Sequence, residues 1–298
     1  MKIGLSAYDM TAADLLDLVR AADEVGLDSL WLGEHVFHPQ DYTSVHPGHE
    51  VKQHHTGPLV QEKTHLLDPL VTLAAAAATT ERIRLATGVF VLPLREPLLV
   101  ARAAASLAEI SGGRFLLGVG AGWLAEEFAA LDVPFRTRGR RLDESLAVLR
   151  ACLGGGTVEY HGEIFDFAAL EMSPAPVTVP LIIGGNSDAA LRRAARTGDG
   201  WFSSGTPDYA EAVRLRDRLL ALRTDLGKQT EPFETVVRIE GADPEDVRRY
   251  GAAGFDHVVI WADQVWPDGG SLDEKRARLT QVARELRDAT QDLQRGER

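Results

Sequence analysis

Glu34 and His35 follow the apolar run Leu30-Trp31-Leu32 and are the pair best placed for acid–base chemistry. An imidazole exchanges a proton near neutral pH, and the carboxylate next to it in sequence adds a second titratable group. A histidine held only by backbone groups is the competing reading. A second candidate is Gly184-Gly185-Asn186-Ser187, which follows the run Leu181-Ile182-Ile183 and precedes a helical pattern starting at Asp188. Glycines expose main-chain N–H groups, and a helix N-terminus with free N–H groups binds phosphate. An ordinary capped turn is the alternative, and Asp188 could answer the helix dipole without a ligand.

Two further glycine-bearing stretches could lie against a flat ring. Gly88 interrupts the apolar run around Thr87-Gly88-Val89, which suggests a bulge or a close backbone approach. Gly118-Val119-Gly120-Ala121-Gly122-Trp123 superficially fits a dinucleotide turn, but the third glycine is missing at the required offset. Arg136, Arg138, Arg140 and Arg141 gather at a helix start, where cations oppose the dipole. A solvated face paired with Asp143 and Glu144 is the simpler account of them.

Seven of the nine histidines are His35, His38, His46, His49, His54, His55 and His65. Their spacing matches no zinc motif, and the first strand, Ile3-Gly4-Leu5-Ser6-Ala7, carries no H-x-H pair. No metal is expected, and the stretch is read as a polar loop facing substrate.

The elements that must position these residues alternate regularly. Strands are predicted at 2–7, 28–36, 82–91, 114–120, 180–184, 200–204, 234–239 and 256–262. Helices are predicted at 11–25, 68–80, 96–111, 138–153, 187–197, 208–226, 244–253 and 272–293. Thr11 with Asp14 resembles a capping box, and Gly26 suits a helix C′ position. Eight strands separated by helices imply parallel βαβ units, and the count favours a closed (β/α)8 TIM barrel over an open doubly wound sheet. Two departures interrupt the alternation: a long loop after strand 2, residues 37–66, and an inserted hairpin at 156–179, before strand 5. In such a barrel, chemistry belongs at the C-terminal ends of the strands. One domain spanning 1–298 is expected.

The totals narrow the class. The 298 residues carry a net charge of -12, which disfavours nucleic acid and anionic membrane surfaces as partners. The single cysteine, Cys152, allows no internal disulfide, and no apolar run is long enough for a membrane span. Met1 leads straight into the first strand without a signal-like segment, so a cytoplasmic protein is expected.

Taken together, SLWLGEHVF, ERIRLATGVFVLP, SGGRFLLGVGAGWLAEEF and IIGGNSDAALRRAARTGDGW resemble the bacterial-luciferase-like family of flavin- and deazaflavin-dependent oxidoreductases. The resemblance runs from Lys2 to about Ala262, and it is greatest to actinobacterial members that use coenzyme F420. It implies a tricyclic ring over the strand-three bulge, with a cis non-prolyl peptide at Gly88-Val89. It matches the family's acidic-His pair to Glu34 and His35 as catalytic residues. It matches Ala121 and Gly122 to the cofactor turn, with Trp123 and Glu126 grouped beside them, and Gly184, Gly185, Asn186 and Ser187 to the phosphate site. The family's sugar-phosphate dehydrogenases carry a catalytic Glu where this chain has Trp123, which argues against sugar-phosphate oxidation. The expected activity is hydride transfer between F420 and a small organic substrate, by a homodimer. FMN-dependent monooxygenation and non-catalytic flavin binding are the alternatives.

Overall fold

Side chains on a barrel strand alternate between the helix layer and the interior, and the first strand shows this at once. In β1, Lys2–Ala7, the residues Ile3 and Leu5 join the apolar layer under the helices, while Ser6 faces the interior. A computed structural model describes residues 1–46 and 64–296. After β1 come α1 (Ala12–Glu24), β2 (Ser29–Leu32), α2 (Pro69–Ala77), β3 (Arg84–Thr87), β4 (Phe90–Val91) and α3 (Pro97–Ile110). Next are β5 (Phe115–Gly120), α4 (Ala125–Ala130), α5 (Arg138–Gly154) and the hairpin strands β6 (Thr157–His161) and β7 (Asp166–Glu171). The chain continues through β8 (Leu181–Gly184), α6 (Asp188–Thr197), β9 (Gly200–Phe202), α7 (Tyr209–Asp225), β10 (Glu234–Ile239), α8 (Pro244–Ala252), β11 (His257–Trp261) and α9 (Leu272–Gly296).

The parallel ladder runs β3-β2-β1-β11-β10-β9-β8-β5, and pairing of β3 with β5 closes it. With β3 and β4 counted as one interrupted stave, this is the expected eight-stranded (β/α)8 barrel. The inserted hairpin, β6 with β7, is a separate antiparallel pair. Helix starts obey local capping chemistry: Thr11 accepts from Asp14 N at 3.2 Å, and Asp68, Ser187, Asp208 and Asp243 each cap their own helix. Gly26 takes φ +77° beyond α1, as a C′ glycine should.

The interior is layered. The middle layer is apolar: Trp31, Ala86, Leu116, Ile182, Phe202, Val236 and Val259. Below it, at the N-terminal end, Glu234 receives Lys2 at 2.9 Å and both Arg84 Nη atoms at 2.7–2.9 Å. His257 Nδ1 meets Glu234 at 3.1 Å and its Nε2 meets Ser29 Oγ at 2.9 Å. The ionised Glu234 carboxylate can only accept, so the hydrogen of the neutral imidazole sits on Nδ1 and Nε2 accepts from Ser29 Oγ, which itself accepts from Trp31 Nε1. Burial depresses the His257 pKa, in keeping with that neutral form. This polar plug closes the bottom of the barrel and leaves the C-terminal mouth as its open end.

Three departures from the predicted elements shape the mouth of the barrel. The second strand ends at Leu32 rather than at residue 36: the Gly33 N–H still reaches Ala7 O at 3.1 Å, and Glu34 and His35 lie beyond the last paired residue. The third strand is broken in two at a cis Gly88-Val89 peptide. The short helix α4, Ala125–Ala130, follows the strand-four glycines where the sequence shows no helical period.

Candidate functional site

Glu34 and His35 leave the end of β2 in different directions. Glu34 turns toward the bulge: its Oε2 accepts from Val91 N at 2.7 Å and its Oε1 pairs with Arg95 Nη2. Its carboxylate is buried, and burial pushes its pKa up to about 7 against the pull of Arg95 and the Val91 N–H. This residue therefore ties β4 to β2 and holds the bulge in place.

His35 turns toward α4. Its Nδ1 lies 3.1 Å from Glu127 Oε2, and Glu127 Oε1 accepts from Val36 N at 2.5 Å. Glu127 is only 1% exposed. Held at Nδ1, the ring has Nε2 left, for which no hydrogen bond is found among the described residues. Aromatic edges surround it. Trp123 meets the His35 ring at 5.4 Å between centroids, Tyr8 at 6.5 Å, and Tyr42 and His46 in turn pack on Trp123.

The bulge supplies a platform. Val89 stands over the middle layer with its methyl groups above two glycines. A Cβ on Gly120 would lie 2.7 Å from Val89 Cγ2, and one on Gly184 would lie 2.6 Å from Val89 Cγ1. These glycines are small because Val89 fills the space above them, so a flat ring here would rest on the valine rather than on bare glycine backbone. Gly122, at φ +80°, turns the chain so that α4 brings Glu127 back to His35. Ala121 is half-buried against the main core.

Glu126 has a different task from its neighbour. It accepts from Thr43 N at 2.8 Å and Ser44 N at 3.3 Å, while Ser44 Oγ caps Ala125 N at 3.0 Å. Burial opposes its charge, yet the hydrogen bonds from Ser44 and Thr43 hold it at about 2. Glu126 thus pins the start of the long loop, and Asp9 pins its end by accepting from His65 N at 2.7 Å. Both anchors lie on the rim of the mouth.

In the strand-five turn, both ends of the Asn186 amide hold Ser204: Nδ2 donates to Ser204 O at 2.8 Å and Oδ1 accepts from Ser204 N at 2.8 Å. Ser187 Oγ caps Ala190 N at 3.2 Å. Gly185 sits at φ +121° with its N–H on Phe202 O. The main-chain N–H groups of Ser187, Asp188 and Ala189 make no hydrogen bond among the described residues and could receive an anion. Asp188 itself faces Arg192 and Arg218.

Three of the four clustered arginines have protein partners, though not the expected Asp143 and Glu144, which serve Arg193 and the hairpin backbone instead. Arg140 pairs with Glu163, Arg141 donates to Pro93 O at 2.9 Å, and Arg138 lies over Phe135 at 3.8 Å. No group of three or more metal-ligating side chains occurs among the described residues; His49, His54 and His55 lie outside them. No described helix is long and apolar enough to cross a membrane.

Residues 2–294 match the family described as luciferase-like monooxygenase. The chain belongs to this family. An uncharacterized protein of Mycobacterium tuberculosis is 36% identical over 248 residues, covering 82% of this chain and 83% of that protein. An F420-dependent glucose-6-phosphate dehydrogenase of Amycolatopsis mediterranei is 28% identical, covering 68% of this chain and 57% of that protein. Among solved structures, an F420-dependent secondary alcohol dehydrogenase in complex with an F420-acetone adduct superposes with TM-score 0.75 at 17% identity, covering 96% and 99% of the two chains. A monooxygenase of Streptomyces bottropensis superposes with TM-score 0.72 at 20% identity, covering 97% and 99%. The family is one of oxidoreductases and monooxygenases that includes F420-dependent members.

Glu127, Arg95 and Tyr8 were not apparent as site residues from the sequence. Glu127 was hidden by Glu126 beside it: only the fold shows which of two adjacent carboxylates faces His35.

Proposed function

We propose that this chain is an F420-dependent oxidoreductase that passes hydride between the deazaflavin and a small organic substrate at the C-terminal mouth of the barrel. The observation that supports this reading is the His35 imidazole at the end of β2, held at Nδ1 by buried Glu127 and left with Nε2 unpaired among the described residues. A flat ring fits on Val89, and a phosphate-bearing tail fits the free N–H groups at the start of α6. Bound there, the deazaflavin would supply hydride transfer with little reactivity toward oxygen.

The chain's own residues supply the rest. His35 Nε2 gives or takes the proton that accompanies the hydride. Glu127 keeps the hydrogen of the neutral ring on Nδ1, leaving Nε2 as the acceptor. Trp123, Tyr8 and Tyr42 wall this recess and would limit the access of water to a bound ring. Trp123 cannot replace a carboxylate in acid–base work, so sugar phosphates are not the proposed substrates. The protein is proposed to act in the cytoplasm as a homodimer, without metal or nucleic acid.

An FMN-dependent monooxygenase is the second reading, favoured by the same aromatic walls. Titrating the purified protein with F420 and with FMN separates the two by which chromophore's absorbance shifts on saturable binding. Tight binding of FMN with none of F420 would overturn the deazaflavin assignment. Binding of neither would remove the oxidoreductase reading altogether.

A further inference from the structure

Three arginines are buried among the described residues: Arg193, Arg223 and Arg238. Arg193 forms a two-pronged pair with Asp143 at 2.8 and 3.1 Å. Arg223 donates to two carbonyls at the end of α7, with Glu231 close by. Arg238 lacks the acidic neighbour that both of these have. It is 8% exposed, its Nη1 donates to Ser6 Oγ at 3.0 Å and its Nε to Gly205 O at 3.1 Å. No carboxylate faces it among the described residues. Burial draws its pKa down to about 10, so it stays cationic at neutral pH. A buried cation with no carboxylate partner among the described residues is costly to keep, and an anionic ligand would offset that cost.

Its position points the same way. Glu234, Val236 and Arg238 share the inner face of β10, and Arg238 is the one nearest the mouth. β10 stands opposite the broken stave β3/β4, with β11, β1 and β2 between them on one side and β9, β8 and β5 on the other. Arg238 therefore faces Val89 across the mouth. Its guanidinium lies over the Trp261 ring at 4.2 Å and near the Phe202 ring at 5.2 Å. Trp261 is fixed by its Nε1 bond to Thr206 Oγ1 at 3.1 Å. Of five guanidinium N–H groups, two are used by Ser6 and Gly205, which leaves three, including both on Nη2. Between flat aromatic walls, a planar two-oxygen acceptor fits this fork better than a tetrahedral anion.

We propose that Arg238 anchors the carboxylate of the substrate, so that the small organic molecule this chain acts on is a carboxylic acid. The substrate assignment rests on the oxidoreductase reading; the anion site does not. Isothermal titration of the full chain, with no cofactor added, uses acetate and benzoate as probes, benzamide as the neutral isostere of benzoate, and inorganic phosphate as the tetrahedral anion. The expected result is saturable carboxylate binding, a concentration-dependent rise in melting temperature, and no response to benzamide. Arg238→Gln should weaken carboxylate binding at least tenfold. Arg238→Lys keeps the charge but loses the fork, and should show a smaller loss; it also serves if the Gln variant does not fold. Carboxylate affinity unchanged in both variants, or phosphate binding in place of carboxylate, would overturn the proposal, as would an unresponsive wild type. Carboxylate binding that survives a failed F420 titration keeps the site and discards only the deazaflavin chemistry.

Discussion

The His35 imidazole and the Glu127 carboxylate meet at 3.1 Å, both buried, across 92 positions of sequence. Glu127 serves two donors at once, His35 Nδ1 and Val36 N. A glutamine there has one acceptor oxygen for two donors, so either the ring or the backbone loses its partner. His35→Ala is expected to lower kcat by about 10²–10⁴-fold, the usual effect of lost acid–base help. Glu127→Gln should lower kcat by roughly tenfold or more by misorienting the same ring. Cofactor affinity should fall less in both, because the Val89 platform and the α6 N–H groups remain. Wild-type turnover in a folded His35→Ala protein would exclude His35 from the mechanism.

Glu34 makes a pH prediction of definite sign. Its pKa rises from 4.5 in the unfolded chain to about 7 in the fold. The folded state therefore holds the proton more tightly, and this contribution to stability is complete at low pH and disappears as pH rises through 7. The shift corresponds to about 3 kcal/mol lost between roughly pH 4.5 and 7. His257 acts in the opposite sense: its depressed pKa costs stability as pH falls below 6.5. Comparing denaturant midpoints of wild type and Glu34→Gln at pH 5 and pH 8 isolates Glu34, since His257 is common to both. The variant should lose less stability over this rise than wild type; an identical pH dependence would show that Glu34 keeps one protonation state throughout.

The barrel was legible because its signals are local. Apolar runs mark the strands, and Thr11, Asp68, Ser187, Asp208 and Asp243 each cap a helix through their own side chain. Gly88 marked the bulge because a glycine inside an apolar strand has little other reason to be there. The site was legible only by residue type. His35 could be named, but its partner lies on α4, a helix of six residues too short to show a period. Glu34 reads as catalytic in the sequence because it neighbours His35, and the sequence does not reveal its contacts with Val91 and Arg95, which brace the bulge. Arg238 carried an available signal: in Glu234-Thr235-Val236-Val237-Arg238-Ile239, alternation places two charged residues on the interior face of a barrel strand. Glu234 at the bottom has three cationic or imidazole partners, and only the tertiary structure shows that Arg238 at the top has no acid.

Ser187 separates capping from ligand binding. Its hydroxyl accepts from Ala190 N, and aspartate is as good a cap as serine. Ser187→Asp should therefore leave the melting temperature nearly unchanged while weakening phosphate-bearing cofactor tenfold or more, by placing negative charge beside it. Ser187→Ala should do the reverse, costing about 1 kcal/mol of stability with a small effect on affinity. Cofactor affinity unaltered in Ser187→Asp would remove the α6 start from the site.

The Val89 platform predicts a specific pattern of coupling. A methyl group on Gly184 would lie 2.6 Å from Val89 Cγ1, closer than carbon atoms tolerate. Gly184→Ala alone should destabilise the protein by about 1–3 kcal/mol, as overpacking does, and displace Val89 into the mouth. Val89→Ala alone removes the obstructing methyl groups from a half-exposed residue, so its effect on stability should be small. It should nevertheless weaken cofactor binding several-fold if the ring rests on that side chain. Combining the two gives Gly184→Ala room for its new methyl, and the double variant should recover most of the lost stability, a coupling of roughly 1–2 kcal/mol. Simple additivity in stability would mean that Gly184 is glycine for a reason other than Val89. Unchanged cofactor affinity in Val89→Ala would move the ring elsewhere in the mouth, toward the Arg238 and Trp261 side, where a flat aromatic wall is also available.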